Sequence, residues 1–247
     1  MKNWLLILIC QGIVFSALAQ ANQHDSKGRK QGEWSETWGE NKRKKYVGQF
    51  KDDKPYGRFT YYYESGEVSS VVDYSKNGTV AYAKAYFPNG NIMSRGKYEN
   101  KLKDSVWVYF NDREGLISTE NWVKGKKEGE EKIFYGDPDQ SLFEINTYKN
   151  GLKNGQWKQY YKNGKILAIG TYRDDNFEGK VTYYYSSGTV DEEGAYKNAV
   201  KNGYWKKYDE DGKLLGKVYY LNGKVIEGEA LEKHLEKVRA EKANTGK

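Results

Sequence analysis

The chain has 247 residues, with 41 Lys and Arg against 34 Asp and Glu, for a formal net charge of +7. A modest excess spread along the chain lacks the clustered basic face of a nucleic-acid binder. Aromatic residues are 15% of the total (23 Tyr, 7 Trp, 8 Phe), Gly numbers 27 and Pro 3, and mean hydropathy is −0.96. Aliphatic residues are too scarce for an ordinary two-layer core, and so many aromatics argue against a disordered chain.

The N-terminus reads as a secretory signal peptide over residues 1–19. Lys2 precedes an apolar run from Trp4 to Ile9 that resumes at Ile13, Val14 and Phe15 and ends in Ala17-Leu18-Ala19. The run is interrupted by Gln11 and Gly12 and falls short of the ~20 residues of a membrane span. The expected destination is the periplasm, the outer envelope or the extracellular space. Cleavage after Ala19 removes Cys10, so the mature chain forms neither a disulfide nor a thiolate site. Residues 20–31 are polar without a strand signal and read as a flexible leader.

From residue 32 to 226 the sequence repeats. A column of aromatics, Phe50, Tyr74, Tyr98, Trp122, Tyr148, Tyr172, Tyr196 and Tyr220, recurs at steps of 24, 24, 24, 26, 24, 24 and 24. The long step contains Gly136-Asp137-Pro138-Asp139-Gln140, one lengthened turn. Seven residues after each of the first seven aromatics stands a small residue: Gly57, Ala81, Ser105, Gly129, Gly155, Gly179 or Gly203; Gly32 opens the first unit. Two residues further comes Trp34, Phe59, Ala83, Trp107, Glu131, Trp157, Val181 or Trp205. An aromatic pair usually follows, as in Tyr62-Tyr63, Tyr109-Phe110 and Tyr160-Tyr161, and then a turn such as Lys162-Asn163-Gly164. Aromatic runs joined by Asn-Gly or Asp-Gly predict β-hairpins, because those residues accept the positive φ of tight turns. The expected fold is all-β: an elongated antiparallel sheet of about eight stacked hairpin repeats, each contacting mainly its neighbours.

The unit Gly155-Gln156-Trp157-Lys158-Gln159-Tyr160-Tyr161-Lys162-Asn163-Gly164, with Gly170-Thr171-Tyr172 behind it, resembles a MORN repeat, and more closely the bacterial variant of the form G-x-W-x-x-Y-Y-x-x-G. The resemblance covers about residues 32 to 224. It implies stacked hairpins and little about chemistry: relatives are associated with phospholipids and protein scaffolding, and some bacterial variants carry an antitoxin-like label. Ala81, Ser105 and Glu131 depart from the pattern, so that stretch is expected to be less regular.

The aromatic column from Phe50 to Tyr220 is read as structural. Burying one ring removes roughly 150–250 Å² from water, a gross gain of about 4–6 kcal/mol, and few other residues here supply burial. The second tyrosines Tyr63, Tyr135, Tyr161 and Tyr185 fall, by strand alternation, on the face of the Trp position. With Trp157 and Trp205 they are the candidate residues of an exposed binding groove.

Chemistry finds little support. The two histidines, His24 and His234, lie outside the repeats, and no zinc ligand set, nucleophilic triad or phosphate loop can be assembled. No catalytic, cofactor or metal residue is expected. Asp209-x-Asp211-Gly212 lacks the acidic residue that closes a calcium loop. Lys42-Arg43-Lys44-Lys45 reads as a solvated charged strand edge. From Glu229, Leu231, Leu235 and Val238 stand at i, i+4 and i+7, the single stripe of a short amphipathic helix within 227–247, expected to cover the open end of the array.

The function expected is a non-enzymatic exported scaffold offering an extended surface to a protein or an envelope component, with a membrane surface as a less favoured partner and nucleic acid excluded. The alternatives are an antitoxin- or immunity-like inhibitor, suggested by the family label, and a glycan- or phospholipid-binding module.

Overall fold

The protein is described by a computed structural model over residues 21–39 and 42–245; the expected signal peptide and Cys10 lie outside the described residues. Each unit contributes a first strand and a column strand. The first strands are Lys30–Trp38, Lys54–Tyr62, Val80–Tyr86, Leu102–Phe110, Gly129–Phe134, Leu152–Tyr160, Gly179–Tyr184 and Gly203–Tyr208. The column strands are Arg43–Lys51, Val68–Ser75, Ile92–Glu99, Leu116–Val123, Leu142–Lys149, Ile166–Arg173, Val190–Lys197 and Leu214–Leu221. Every strand pairs antiparallel with its neighbours in sequence, from Lys30–Trp38 with Arg43–Lys51 through to Gly203–Tyr208 with Leu214–Leu221. The result is one open meander, as the spacing predicts.

Local turn chemistry sets the period. Between units the chain reverses over two residues that both have positive φ: Asp52 and Asp53 (52° and 63°), Asn150 and Gly151 (54° and 91°), Asn222 and Gly223 (49° and 81°). Two such residues make the hairpin turn whose twist matches that of the flanking strands. The small residue four or five positions on then takes a left-handed conformation itself, as at Gly57 (66°), Ser105 (61°) and Gly179 (79°). A two-residue bulge accompanies it: Val47 and Gln49 face Thr60 and Tyr56, and Arg95 and Lys97 face Val108 and Asp104.

Ala81 shows the alternative. It is buried, has no positive φ, and its strand pairs with Val68–Ser75 without a break in register. The two residues absorbed elsewhere by the bulge lie instead in a longer connection, where Lys76–Gly78 forms a 3-10 turn. The seven-residue spacing is kept by both routes. The stretch with Ala81, Ser105 and Glu131 therefore continues the meander, and this exchange is where its backbone departs from the other units.

The two ends differ from expectation. The stretch expected as a flexible leader contains strand Gln23–His24, paired with Gln31 and Lys30. Asn22 extends the cover, its amide donating to Glu33 O at 2.8 Å and its Oδ1 accepting from Ser35 N at 2.9 Å. His24 meets Trp34 edge-on at 5.0 Å. These polar residues order because their hydrogen bonds go to an existing strand, which composition does not reveal. At the other end the helix Gly228–Thr245 carries the expected stripe of Leu231, Leu235 and Val238, half-buried together with His234. His234 Nε2 lies 3.1 Å from Tyr219 Oη. With the helix in place, Leu214, Leu215 and Val218 are still exposed, so it leaves residues 214–218 of the last strand open.

Candidate functional site

One face of the sheet is covered by its own rings. Most residues at the Trp position are buried: Phe59, Trp107, Trp157, Val181 and Trp205 are 1–5% exposed. The column aromatics lean edge-on against them, with Phe50 5.2 Å from Phe59, Tyr98 4.8 Å from Trp107 and Tyr196 5.1 Å from Trp205. T-shaped contacts of this kind add about 0.5–1.5 kcal/mol to the area buried. Glycines of the neighbouring strands let the rings lie flat: a Cβ on Gly48 would stand 2.2 Å from the Phe59 ring, and on Gly194 2.3 Å from Trp205. Tyr61, Tyr109 and Tyr183 share this face, and burial pushes their phenols well above the ordinary tyrosine range.

This arrangement corrects the expected groove. Trp157 and Trp205 are core rings at 5% and 3% exposure, so they wall no open groove. The second tyrosines are staples between repeats. Tyr63 Oη donates to Tyr86 O at 2.7 Å, Tyr135 to Tyr160 O at 2.8 Å, Tyr161 to Tyr184 O at 2.7 Å and Tyr185 to Tyr208 O at 2.8 Å. Trp38 does the same one unit earlier, its Nε1 donating to Tyr62 O at 3.2 Å. In the fourth unit the pattern is offset: Tyr109 stacks on Trp107 at 6.3 Å, and Asn111 takes the staple position, donating to Gly136 O at 2.9 Å. Simple alternation fails here because a bulge shifts the register just before each second tyrosine, as between Gln159 and Tyr160.

At one place the ring face becomes polar. At the fifth unit Glu131 occupies the Trp position, 7% exposed, among Lys127, Asn146 and Tyr148. Lys127 also meets Glu120 at 2.7 Å, and Glu120 accepts from Trp122 Nε1 at 2.9 Å. Asn146 donates to Glu144 at 2.6 Å, and Gln159 donates to its other oxygen at 2.7 Å. Burial works against charge on Lys127, but the carboxylates of Glu120 and Glu131 outweigh it and hold the amine above its ordinary value. Glu120 is likewise disfavoured by burial, yet Lys127, Trp122 and Tyr109 keep its carboxyl below the ordinary glutamate range. The charges are paired, which is what makes a polar core layer tolerable.

The acidic and basic groups at the turns and strand edges are absorbed by structure. Asp209 Oδ1 accepts from Lys213 N at 2.8 Å within its turn. Asp52 pairs with Arg29 at 2.8 Å, Asp174 accepts from Asn154 at 2.8 Å, and Asp191 pairs with Lys207 at 2.6 Å. Arg43 clamps the next turn through Glu64 O and Ser65 O at 3.1 and 2.8 Å. Among the described residues no group of three or more His, Cys, Asp or Glu is placed to hold a metal ion.

The opposite face carries a hollow of about 690 Å³. Its side chains come from alternate positions of four adjacent strands: Val71 and Asp73, Tyr82 and Lys84, Arg95 and Lys97, Val106 and Val108. Tyr82 is 58% and Val106 51% exposed. Asp73 is held by Arg58 in a two-point pair at 2.9 and 3.2 Å, and Lys97 by Glu99 and Asp104 at 2.7 and 3.1 Å. Lys84 and Arg95 have no ion pair among the described residues; Arg95 lies over the Phe110 ring at 5.8 Å. The hollow therefore combines exposed apolar surface with two uncompensated cations. The sequence signal that could have found it is Tyr82 between Ala81 and Ala83, a large residue out of phase with the ring positions.

Four segments of the chain, residues 79–100, 153–174, 177–198 and 201–222, match the family described as MORN repeat variant. These units are MORN-variant repeats. Each matched segment runs from near the small residue to the turn after the column aromatic, so the family motif and the hairpin coincide. The polar layer from Glu120 to Asn146 lies outside the matched segments. No curated protein matches this sequence. Among solved structures, a porin-like protein from Bacteroides uniformis is similar over 78% of this chain and 91% of its own, at 9% identity. Its TM-score of 0.19 is too low to carry an argument about fold or function.

Proposed function

We propose that this MORN-variant repeat protein is a non-enzymatic exported scaffold that holds a partner protein on the face opposite its rings. The observation that carries the reading is the hollow spanning four strands, where Tyr82 and Val106 are exposed beside the unpaired Lys84 and Arg95. Large exposed aromatics with an arginine are the residue types on which binding energy concentrates, and two uncompensated cations favour a partner surface carrying carboxylates. The hairpin array keeps these side chains in fixed spacing, because neighbouring units are bonded to each other at their turns, Tyr63 Oη donating to Tyr86 O and Asn89 and Asn91 donating to Asp112 O.

The test is capture from the cell envelope by the mature chain and by a Tyr82→Ala, Lys84→Glu, Arg95→Glu variant. All three side chains are exposed, so the variant is expected to melt like the parent. A partner retained by the parent and lost by the variant supports the reading. Equal retention by both removes this face from the function.

A further inference from the structure

Among the described residues, the last column strand, Leu214–Leu221, is where the repeat rule is left incomplete. At earlier junctions two residues of the next unit close the column strand: Ser118 and Thr119 face Ile133 and Lys132, Ala168 and Ile169 face Tyr183 and Thr182, and Glu192 and Glu193 face Lys207 and Lys206. Counting back from the column aromatic, the equivalent rungs of the last unit are Gly216 and Lys217. The chain does turn at Asn222 and Gly223 and lays Lys224 and Val225 on Leu221 and Tyr220, as Val200 and Lys201 do one unit earlier. It then leaves the sheet for the helix Gly228–Thr245. Residues 214–218 keep a strand on one side only, and a hollow of about 320 Å³ lies along that edge.

We propose that this edge takes an added strand from a partner protein, an extended segment in which carboxylates alternate with small apolar residues. Edge addition joins main-chain hydrogen bonds to alternate side-chain contacts, and the internal junctions show which contacts are required. On the outer face Glu193 pairs with Lys206 of the next unit at 3.1 Å. Lys217 holds the place of Glu193, so the residue that completes this rung is acidic. Lys213 and Lys224, both exposed, flank it with the same sign. On the ring face Gly194 makes room for Trp205, but Val218 stands in the place of Gly194. The internal precedent for valine there is Val72, which faces Ala83. The incoming residue on that side is therefore small.

The same features argue against a second copy of this chain. Two such edges joined about Lys217 set that residue against its own counterpart, and joined about Gly216 they set Lys217 against Leu215 with no carboxylate to pair it. The first strand of another copy brings Trp34 to Val218 and Ser35 to Lys217, and its free side is already held by Asn22, Gln23 and His24. Lysines alone would blunt an edge against pairing. Leu214, Leu215 and Val218, exposed by 47%, 62% and 42%, are an apolar surface that a blunted edge has no need of.

The experiment is fluorescence anisotropy of a labelled peptide alternating glutamate with alanine and valine, titrated with the full chain. Saturable binding is expected, at least about tenfold weaker for the peptide with lysine in place of glutamate. Lys217→Glu is expected to reverse that preference. Lys217→Gln, which removes one charge and adds none, is expected to weaken the glutamate peptide without changing the melting temperature. Absence of binding by the glutamate peptide, or equal binding of the two peptides by the parent chain, overturns the proposal. So does sedimentation showing dimers that Lys217→Glu strengthens, since a second copy would then be the occupant.

Discussion

Adding one methyl group at three glycines gives a graded test of how the ring face is packed. Gly194, Gly170 and Gly216 all lie on column strands without positive φ, so alanine is conformationally allowed at each. The methyl at Gly194 would stand 2.3, 2.4 and 2.6 Å from Trp205 ring carbons, at Gly170 3.2 Å from Trp157, and at Gly216 it meets nothing within 4 Å. Trp205 is 3% exposed and its Nε1 donates to Ala195 O at 3.1 Å, so the ring cannot move without loss of burial and of that hydrogen bond. Overpacking costs typically 1–3 kcal/mol and a broken hydrogen bond about 1 kcal/mol more. Gly194→Ala is therefore expected to destabilise by about 2–4 kcal/mol and Gly170→Ala by about 1 kcal/mol. Gly216→Ala should be neutral or stabilising by up to about 1 kcal/mol, since it restricts the unfolded chain. Urea titrations read by circular dichroism and tryptophan fluorescence measure the series. Equal midpoints for Gly194→Ala and Gly216→Ala would refute the claim that glycines seat the rings.

Three further outcomes follow from other contacts. Tyr161→Phe removes the 2.7 Å bond to Tyr184 O and keeps the ring; the expected cost is about 0.5–1.5 kcal/mol by urea titration, and no change would deny the staple. Glu131→Ala leaves Lys127 half-paired, Tyr148 without an acceptor and Asn146 with Glu144 alone, and is expected to cost about 3 kcal/mol, the low end for a broken buried pair because Glu120 still meets Lys127; a midpoint within error of the parent would contradict the network. Lys180, Lys206 and Tyr208 hold the Glu193 carboxyl at about 2 against its ordinary 4.5. A lowered folded value contributes stability that is present above 4.5 and lost as pH falls towards about 2. Glu193→Gln should therefore flatten the acid limb of the stability profile in that window, and an unchanged limb would locate the acid sensitivity elsewhere.

Much of the fold is legible in the residues themselves because its determinants are local. Asn150-Gly151 and Asn222-Gly223 demand positive φ at two successive positions, and the small residue at each bulge demands it again. A period of 24 residues then follows without reference to anything distant. The lengthened turn at Gly136–Gln140 could be read for the same reason, and it closes between Tyr135 N and Ser141 O at 2.9 Å.

Which rings face outward was not legible. Alternation places Tyr161 with Trp157 only if the strand is regular, and a bulge that leaves no composition signal falls between them. Whether a ring is covered depends on the residue across the ladder, so Trp205 is core because Gly194 makes room for it. Glu131 looked like a lapse in the motif, and only the neighbouring strands reveal Lys127, Asn146 and Tyr148 converging on it. Sequence alone determined the hairpin repeat, its count and its turns, since each rests on backbone preferences within a few residues. Tertiary structure decided the burial of the two tryptophans, the stapling role of the tyrosines and the free edge at Gly216 and Lys217. Each of those depends on what a strand from another hairpin brings, or fails to bring, alongside.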